Sequence, residues 1–466
     1  VQVSSGPALM TPIPQWFFEV HQAAPHHWNQ TFAFEIPQWL SPEAAQVATE
    51  HLVKRHDALR LAFHKKEGRW TAEVKLPEAI HSFQKINLFD CEPDMQTTEI
   101  SKRLSEIQTT LNLEKGSLFQ CIYIDSGSGQ NNRLILLAHH LVVDAVSWGL
   151  LIEELALLVH SVSHSQEISM TATTTPYTVW CNYLSDYAKS DDVAKEMAFW
   201  QAQTQSLDRL PADFKVSFPI VESSVSISTH ELAKEQTQRL QDSLKAYNMR
   251  TDEMLVTALM LALGKWASVS ELCLGFERHG RGLIDNELDF SGTIGWFTTY
   301  FPILLTIDTS MELGAILKSV KEQLRQTPKG GLGYGVLRYL GRQKELTQRP
   351  IVLFNYIRSG QGLESPVLGK GEFIDKDIRD PQSERYYQLE INALLRNGVL
   401  QTTWSYCRDQ YRSSSIEDLI ANYHVSLQEL ISHCTETGSG GYTPSDFPEA
   451  DLSQNDLDRL FDQLDL

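Results

Sequence analysis

Short runs of β-forming residues alternate with amphipathic helical stretches along the whole chain, and this alternation confines it to an α/β or mixed α+β architecture. Ser41 as N-cap and Pro42 at the first helical position open an amphipathic stretch over residues 41–63, with Ala44, Ala48, Leu52 and Leu59 at spacings of four, four and seven. Strands are expected around Leu61–Phe63, Trp70–Val74, Gln120–Ile124 and Arg133–Ala138, and the run LLIEELALLVH after Leu150 reads as a helix. The second half repeats the style, with a helix over Asp252–Trp266 and strands at Glu271–Phe276 and Ile351–Tyr356. Between the halves lies the Ser/Thr-rich stretch Ser161–Thr175, closed by Pro176. We therefore expect one lobe over residues 1–170, a second over 176–437, and a linker-like acidic tail over 438–466.

The chain's 466 residues suit two to four structural units. Forty Lys and Arg against 59 Asp and Glu leave a net charge of −19, which repels a polyphosphate backbone and argues against nucleic-acid binding. The six cysteines are scattered, without CxxC pairs or zinc spacing, as in reduced thiols of a cytoplasmic protein; no metal site is expected. The most apolar segment, Leu134–Val143, is interrupted by His139 and His140, and no membrane span is expected. The Asn29-Gln30-Thr31 sequon is read as chance, and a start at Val1 suggests a piece of something longer.

Chemistry concentrates at His139-His140-Leu141-Val142-Val143-Asp144-Ala145-Val146-Ser147-Trp148, which comes directly off one strand and leads into a helix. Such a strand end can present an imidazole to a cleft, whereas a buried His/Asp network at a strand-to-helix turn is the structural alternative. His26-His27, with no acid at useful spacing, is read as structural. The glycines of Pro328–Gly335 imply a backbone that turns tightly or closely approaches a neighbour; no GKS or GKT follows, so this is not a P-loop.

The HHxxxDxxSW pattern at 139–148 resembles the signature of the condensation-domain superfamily of nonribosomal peptide synthetases. In order along the chain, TPIPQWFFE, RHDALRLAF at Arg55–Phe63, FERHGR at Phe276–Arg281, SGTIGWFTTYFP at Ser291–Pro302, PKGGLGYG, VLFNY at Val352–Tyr356, LEINA at Leu389–Ala393 and YTPSDFP resemble its epimerization branch. Three departures stand out: Arg278 where the family has Gly, Gly282 where it has Glu, and Ile357, Arg358 and Ser359 where it has a shorter segment.

The resemblance implies two chloramphenicol acetyltransferase-like lobes forming a V around a central cleft or tunnel. It further implies L-to-D inversion of the α-carbon of an aminoacyl or peptidyl thioester held on the phosphopantetheine arm of a carrier protein. Inversion needs proton removal on one face and return on the other, and His140 and Glu277, from different halves, are the expected acid/base pair. The thioester acidifies the α-proton, so the domain needs no cofactor of its own. Asp144 is expected to pair with Arg281 and hold the loop, with His139, Ser147 and Trp148 supporting. Asn355 and Tyr356 are either ordinary strand residues or cleft groups that orient Glu277 or bind an oxyanion. Expected partners are a peptidyl carrier protein and neighbouring synthetase domains, with the isolated domain monomeric. Peptide-bond formation, with His140 alone as base, is the alternative reaction.

Overall fold

The computed structural model describes residues 4–127, 131–167, 175–203, 210–215, 219–283, 288–347, 349–358, 364–436, 438–450 and 452–463. Ser359 and residues 168–174 of the Ser/Thr-rich stretch lie outside them. The first half contributes β1 (Gly6–Ala8), β2 (Asn29–Ile36), β3 (Leu61–Lys66), β4 (Arg69–Val74), β5 (Phe83–Asn87), β6 (Phe119–Asp125) and β7 (Asn132–His139). The second contributes β8 (Val225–Leu232), β9 (Glu271–His279), β10 (Thr298–Thr306), β11 (Val352–Arg358), β12 (Glu364–Ser365), β13 (Gly369–Phe373), β14 (Leu389–Arg396) and β15 (Val399–Cys407). A small sheet, β1-β4-β3, accompanies two six-stranded sheets, β12-β13-β2-β7-β6-β5 and β10-β9-β11-β14-β15-β8.

The continuous apolar run in β7 follows from burial on both faces. Leu134, Leu136 and Ala138 enter one core, while Ile135 and Leu137 enter another with Ile122 and Ile124. The first sheet is not built from the first half alone. After β11 the chain crosses over, pairs β13 with β2 (Phe373 opposite Phe32), and returns as β14 parallel to β11. On the way back Arg379 makes a backbone bridge with Trp28.

The helix opened by Ser41, whose Oγ accepts from Ala44 N at 3.1 Å, ends at Arg55 and not near Leu59. Tertiary capping overrides the periodicity there. The Asp57 carboxylate accepts from Tyr177 N at 2.8 Å and from Thr178 N at 3.0 Å, capping the helix Tyr177–Tyr187, and Asp57–Arg60 becomes a 3-10 turn feeding β3. The helix Ala145–Ser163 is long and apolar enough to cross a membrane by length and composition. In the fold it buries Trp148, Leu151, Leu155 and Val159 and packs against the helix Pro42–Arg55. A reciprocal capping box of Thr443 and Asp446 shapes the tail's turn, and Asp446 docks it to the body. The Asp446 side chain, 2% exposed, accepts from Lys321 at 2.6 Å and from Arg325 at 2.8 Å.

The glycine-rich segment is close-packed. Gly331 has φ +88°, and a Cβ there would lie 1.9 Å from the Phe301 ring; one on Gly333 would lie 1.8 Å from Glu196 Oε2. Gly335 abuts Pro12 of the first half. Gly331→Ala adds both a left-handed-backbone penalty and a clash with a buried ring, so it should destabilise the fold by about 1–3 kcal/mol, read as a lower denaturant midpoint at unchanged m.

Candidate active site

β7 ends at His139, and the next residue begins a 3-10 turn, so the two histidines diverge. His139 is buried and fixed as one tautomer: Nδ1 accepts from Leu141 N at 3.1 Å and Nε2 donates to Pro25 O at 2.9 Å. Burial pushes its pKa down to about 3, so it stays neutral and closed to solvent chemistry. The half-buried His140 is anchored by its N–H to Trp28 O at 2.9 Å, and its ring centroid lies 4.4 Å from that of Trp296. Burial, partly opposed by Asp144, pushes its pKa down to about 4.

Asp144 caps the helix that follows, accepting from Ser147 N at 2.8 Å on Oδ1. Its other oxygen accepts from Arg281 Nη1 at 2.6 Å and from Phe297 N at 3.1 Å. Arg281 also donates to Ser147 Oγ and to Thr293 O, both at 2.9 Å, and covers the Phe297 ring at 3.9 Å. Ser147 Oγ exchanges hydrogen bonds with the backbone of Gly295 at 2.8 and 3.0 Å. The first-half motif is thus bolted to the second-half segment 293–297 through one buried ion pair. Trp148 donates to Gln30 Oε1 at 2.6 Å and packs on Phe32.

Glu277 lies on β9, opposite Tyr300 on β10 and Asn355 on β11, and Asn355 is opposite Asn392 on β14. Residues directly opposite share a face, so Glu277, Asn355 and Asn392 form one row, with Glu390 two residues before Asn392 on the same face. Asn392 donates to Glu390 at 2.9 Å. Burial, together with the charge of Glu390, pushes the Glu277 pKa up to about 7, while Arg379 pulls the other way. Tyr356 falls out of the row. It pairs with Ala393 and alternates to the other face, that of Phe354 and Ile391, yet it still lines the cavity shared by His140 and Glu277, and its hydroxyl is buried. Arg278 also alternates away from Glu277 and pairs with Asp252 at 3.1 Å. Gly282, at φ +78°, follows the Arg281 latch in a conformation that favours glycine.

His140 and Glu277 line the same cavity of about 3080 Å³, together with Trp296, Asn355, Arg379 and Glu390. Arg379 and Glu222, which are hydrogen-bonded at 3.3 Å, belong to no motif read from the sequence. Glu390 does carry a signal, being an acid that alternates with the apolar Leu389 and Ile391 in LEINA. Among the described residues, no group of three His, Cys, Asp or Glu converges as a metal site.

Residues 5–453 match the family model described as the condensation domain. The chain is 34% identical to one of the linear gramicidin synthase subunits of Brevibacillus parabrevis, over 99% of its own length and 6% of that protein's. It is 30% identical to tyrocidine synthase 1 of the same organism, over 99% of its length and 44% of the relative's. It therefore spans less than half of either. Among solved structures, it is 31% identical to the epimerization domain from the third module of tyrocidine synthetase B, with a TM-score of 0.82 over 93% of this chain and 97% of that one. The starter condensation domain of rhizomide synthetase shares the fold at 14% identity and a TM-score of 0.68, over 93% and 98% of the two chains.

Proposed function

The chain belongs to the condensation-domain family of nonribosomal peptide synthetases, with its mixed α/β, chloramphenicol acetyltransferase-like fold, and within that family we propose that it epimerizes the α-carbon of a carrier-bound aminoacyl or peptidyl thioester. The observation carrying this reading is that a half-buried carboxyl and a half-buried imidazole, contributed by opposite halves, line one cavity. The likeness to a tyrocidine synthetase epimerization domain supports it.

With the imidazole hard to charge and the carboxyl hard to ionise, the resting pair near neutrality is a neutral His140 and a protonated or half-protonated Glu277. That pair is suited to take a proton from one face of the α-carbon and return one to the other. The Cα–H electron pair enters the thioester carbonyl to give an enolate, and reprotonation from the opposite side inverts the centre. The reverse reaction exchanges the roles. The substrate arrives on the phosphopantetheine arm of a carrier protein, and no cofactor of the domain enters the step. Neighbouring synthetase domains would present that carrier.

The proposal is tested by loading a cognate carrier with an L-aminoacyl group in deuterium oxide and following both chirality and α-deuterium. Inversion with label uptake is expected. Peptide-bond formation between two loaded carriers, without α-exchange, would instead assign the condensation reaction.

A pH dependence follows. The competent pair shares one proton: above about pH 7 Glu277 loses it, and below about pH 4 His140 gains a second. We expect kcat/KM for the carrier-bound substrate to fall as pH rises through about 7, by about tenfold per unit well above it. In Glu277→Gln, the residual same-face exchange should lack that limb.

A further inference from the structure

Among the residues that the crossover between β13 and β14 brings to the cavity is Arg379, which no motif marks. Ile378 O accepts from Asn29 N at 2.7 Å, and Arg379 bridges the backbone of Trp28, whose carbonyl in turn anchors His140 N at 2.9 Å. The Arg379 guanidinium stacks 4.0 Å over the Trp28 ring. That ring centroid also lies 3.8 Å from that of His21. The backbone bridge and the stack fix the guanidinium beside the His140 wall while it lines the same cavity as Glu277 and Glu390.

Its hydrogen bonding leaves capacity over. Among the described residues its one hydrogen bond is to Glu222, at 3.3 Å through Nη1. The neighbouring Arg385 is committed to Ser405 O at 2.9 Å and lies near Glu222 and Glu390 at 3.9 and 3.7 Å, while Arg278 is held by Asp252. A planar fork with five donors, one of them used, thus lines the cavity that also holds His140 and Glu277.

We propose that Arg379 donates a hydrogen bond to the carbonyl oxygen of the bound thioester and neutralises the charge that oxygen gains as the α-proton leaves. This rests on the epimerization reading. In the step, the Cα–H bond breaks and its proton passes to one of the two bases. The bonding pair forms the Cα=C bond, and the carbonyl π pair moves onto oxygen, beside the guanidinium. Protonation from the other base returns that pair to the carbonyl, so no oxidant or further reactant is required. The electrostatics agree: Arg379 favours the charged form of Glu277 and disfavours that of His140, as a cation between the two would. Against the cost of burial, the carboxylates of Glu222, Glu390 and Glu277 keep the guanidinium charged.

Two synthetic arms provide the test: an aminoacyl pantetheine ketone, with sulfur replaced by methylene, and the same arm with the carbonyl reduced to methylene. The wild-type chain should bind the ketone at least tenfold more tightly. Arg379→Gln should bind both equally, and it should slow α-deuterium exchange of the carrier-bound thioester by 100-fold or more. Arg379→Lys keeps the charge and the Glu222 pair, so it should retain a reduced preference; it also serves if the glutamine variant does not fold. Glu222→Gln removes the ion pair but leaves the guanidinium, and should keep the carbonyl preference. A preference that survives in Arg379→Gln, is absent from the wild type, or is lost equally in Glu222→Gln overturns the proposal. If the preference depends on Arg379 but the wild type exchanges no α-deuterium, the oxygen contact stands and the epimerization reading falls.

Discussion

Glu277→Gln should lose epimerization and gain stability in the same molecule. The amide can neither accept nor return a proton, so equilibration of a carrier-bound aminoacyl thioester should slow by on the order of 100-fold or more. Some α-deuterium should still enter with retained chirality, because His140 can remove and return a proton on its own face. The stability effect comes from the same burial. With its pKa raised from the ordinary 4.5 to about 7, the carboxyl is protonated more readily in the folded chain than in the unfolded one. Below pH 4.5 both forms are neutral and nothing is lost. Between pH 4.5 and 7 the unfolded chain gives up the proton while the folded chain holds it, so stability falls, and above 7, where the folded carboxyl also ionises, the full difference of two to three pKa units costs about 3 kcal/mol. Urea unfolding should therefore show Glu277→Gln matching the wild type at pH 4.5 and exceeding it by an amount approaching about 3 kcal/mol at pH 8. A variant inactive but no more stable at pH 8 would mean that Glu277 is ionised without cost. A variant with full activity in peptide-bond formation would move the domain to the condensation reaction.

How legible this was in the sequence depends on the range of the forces concerned. Strands such as β7 and β9 were readable because alternation and β-propensity are local, and they form at or within a few residues of the expected bounds. The end of the helix at Arg55 was not, because the residue that stops it, Asp57, is recruited by Tyr177 and Thr178 far along the chain. The presence of His140 and Glu277 at strand ends in different halves was visible, and the structure brings both to one cavity. The adjacent residues Asn355 and Tyr356 looked equivalent in the motif, yet a strand sends neighbours to opposite faces, and only Asn355 joins the row of Glu277. Arg379 left no local trace. Its position depends on the crossover that carries β13 to the first sheet, and no periodicity within the segment encodes that excursion.

Asp144→Ala should act on the fold before it acts on the chemistry. Both carboxylate oxygens are used, one by the helix N-terminus and the other by Arg281 and the backbone of Phe297, and the Asp144 and Arg281 side chains are only 6% and 7% exposed. Truncation to alanine strips the cap and leaves the guanidinium buried above the Phe297 ring without its counter-charge. Breaking a buried pair from one side typically costs about 3–5 kcal/mol, more than an exposed cap alone would explain. The pair also joins the turn bearing His140 to the segment bearing Trp296, the ring against which His140 packs. Loss of the latch should therefore loosen the imidazole as well as lower the denaturant midpoint. Asp144→Asn gives the discriminating comparison, because it removes the charge while its single amide oxygen can keep either the cap or the Arg281 contact, but not both. It should recover part of the stability, and turnover per folded molecule should recover with it. Wild-type stability in Asp144→Ala with turnover abolished would instead put the carboxylate in the chemistry.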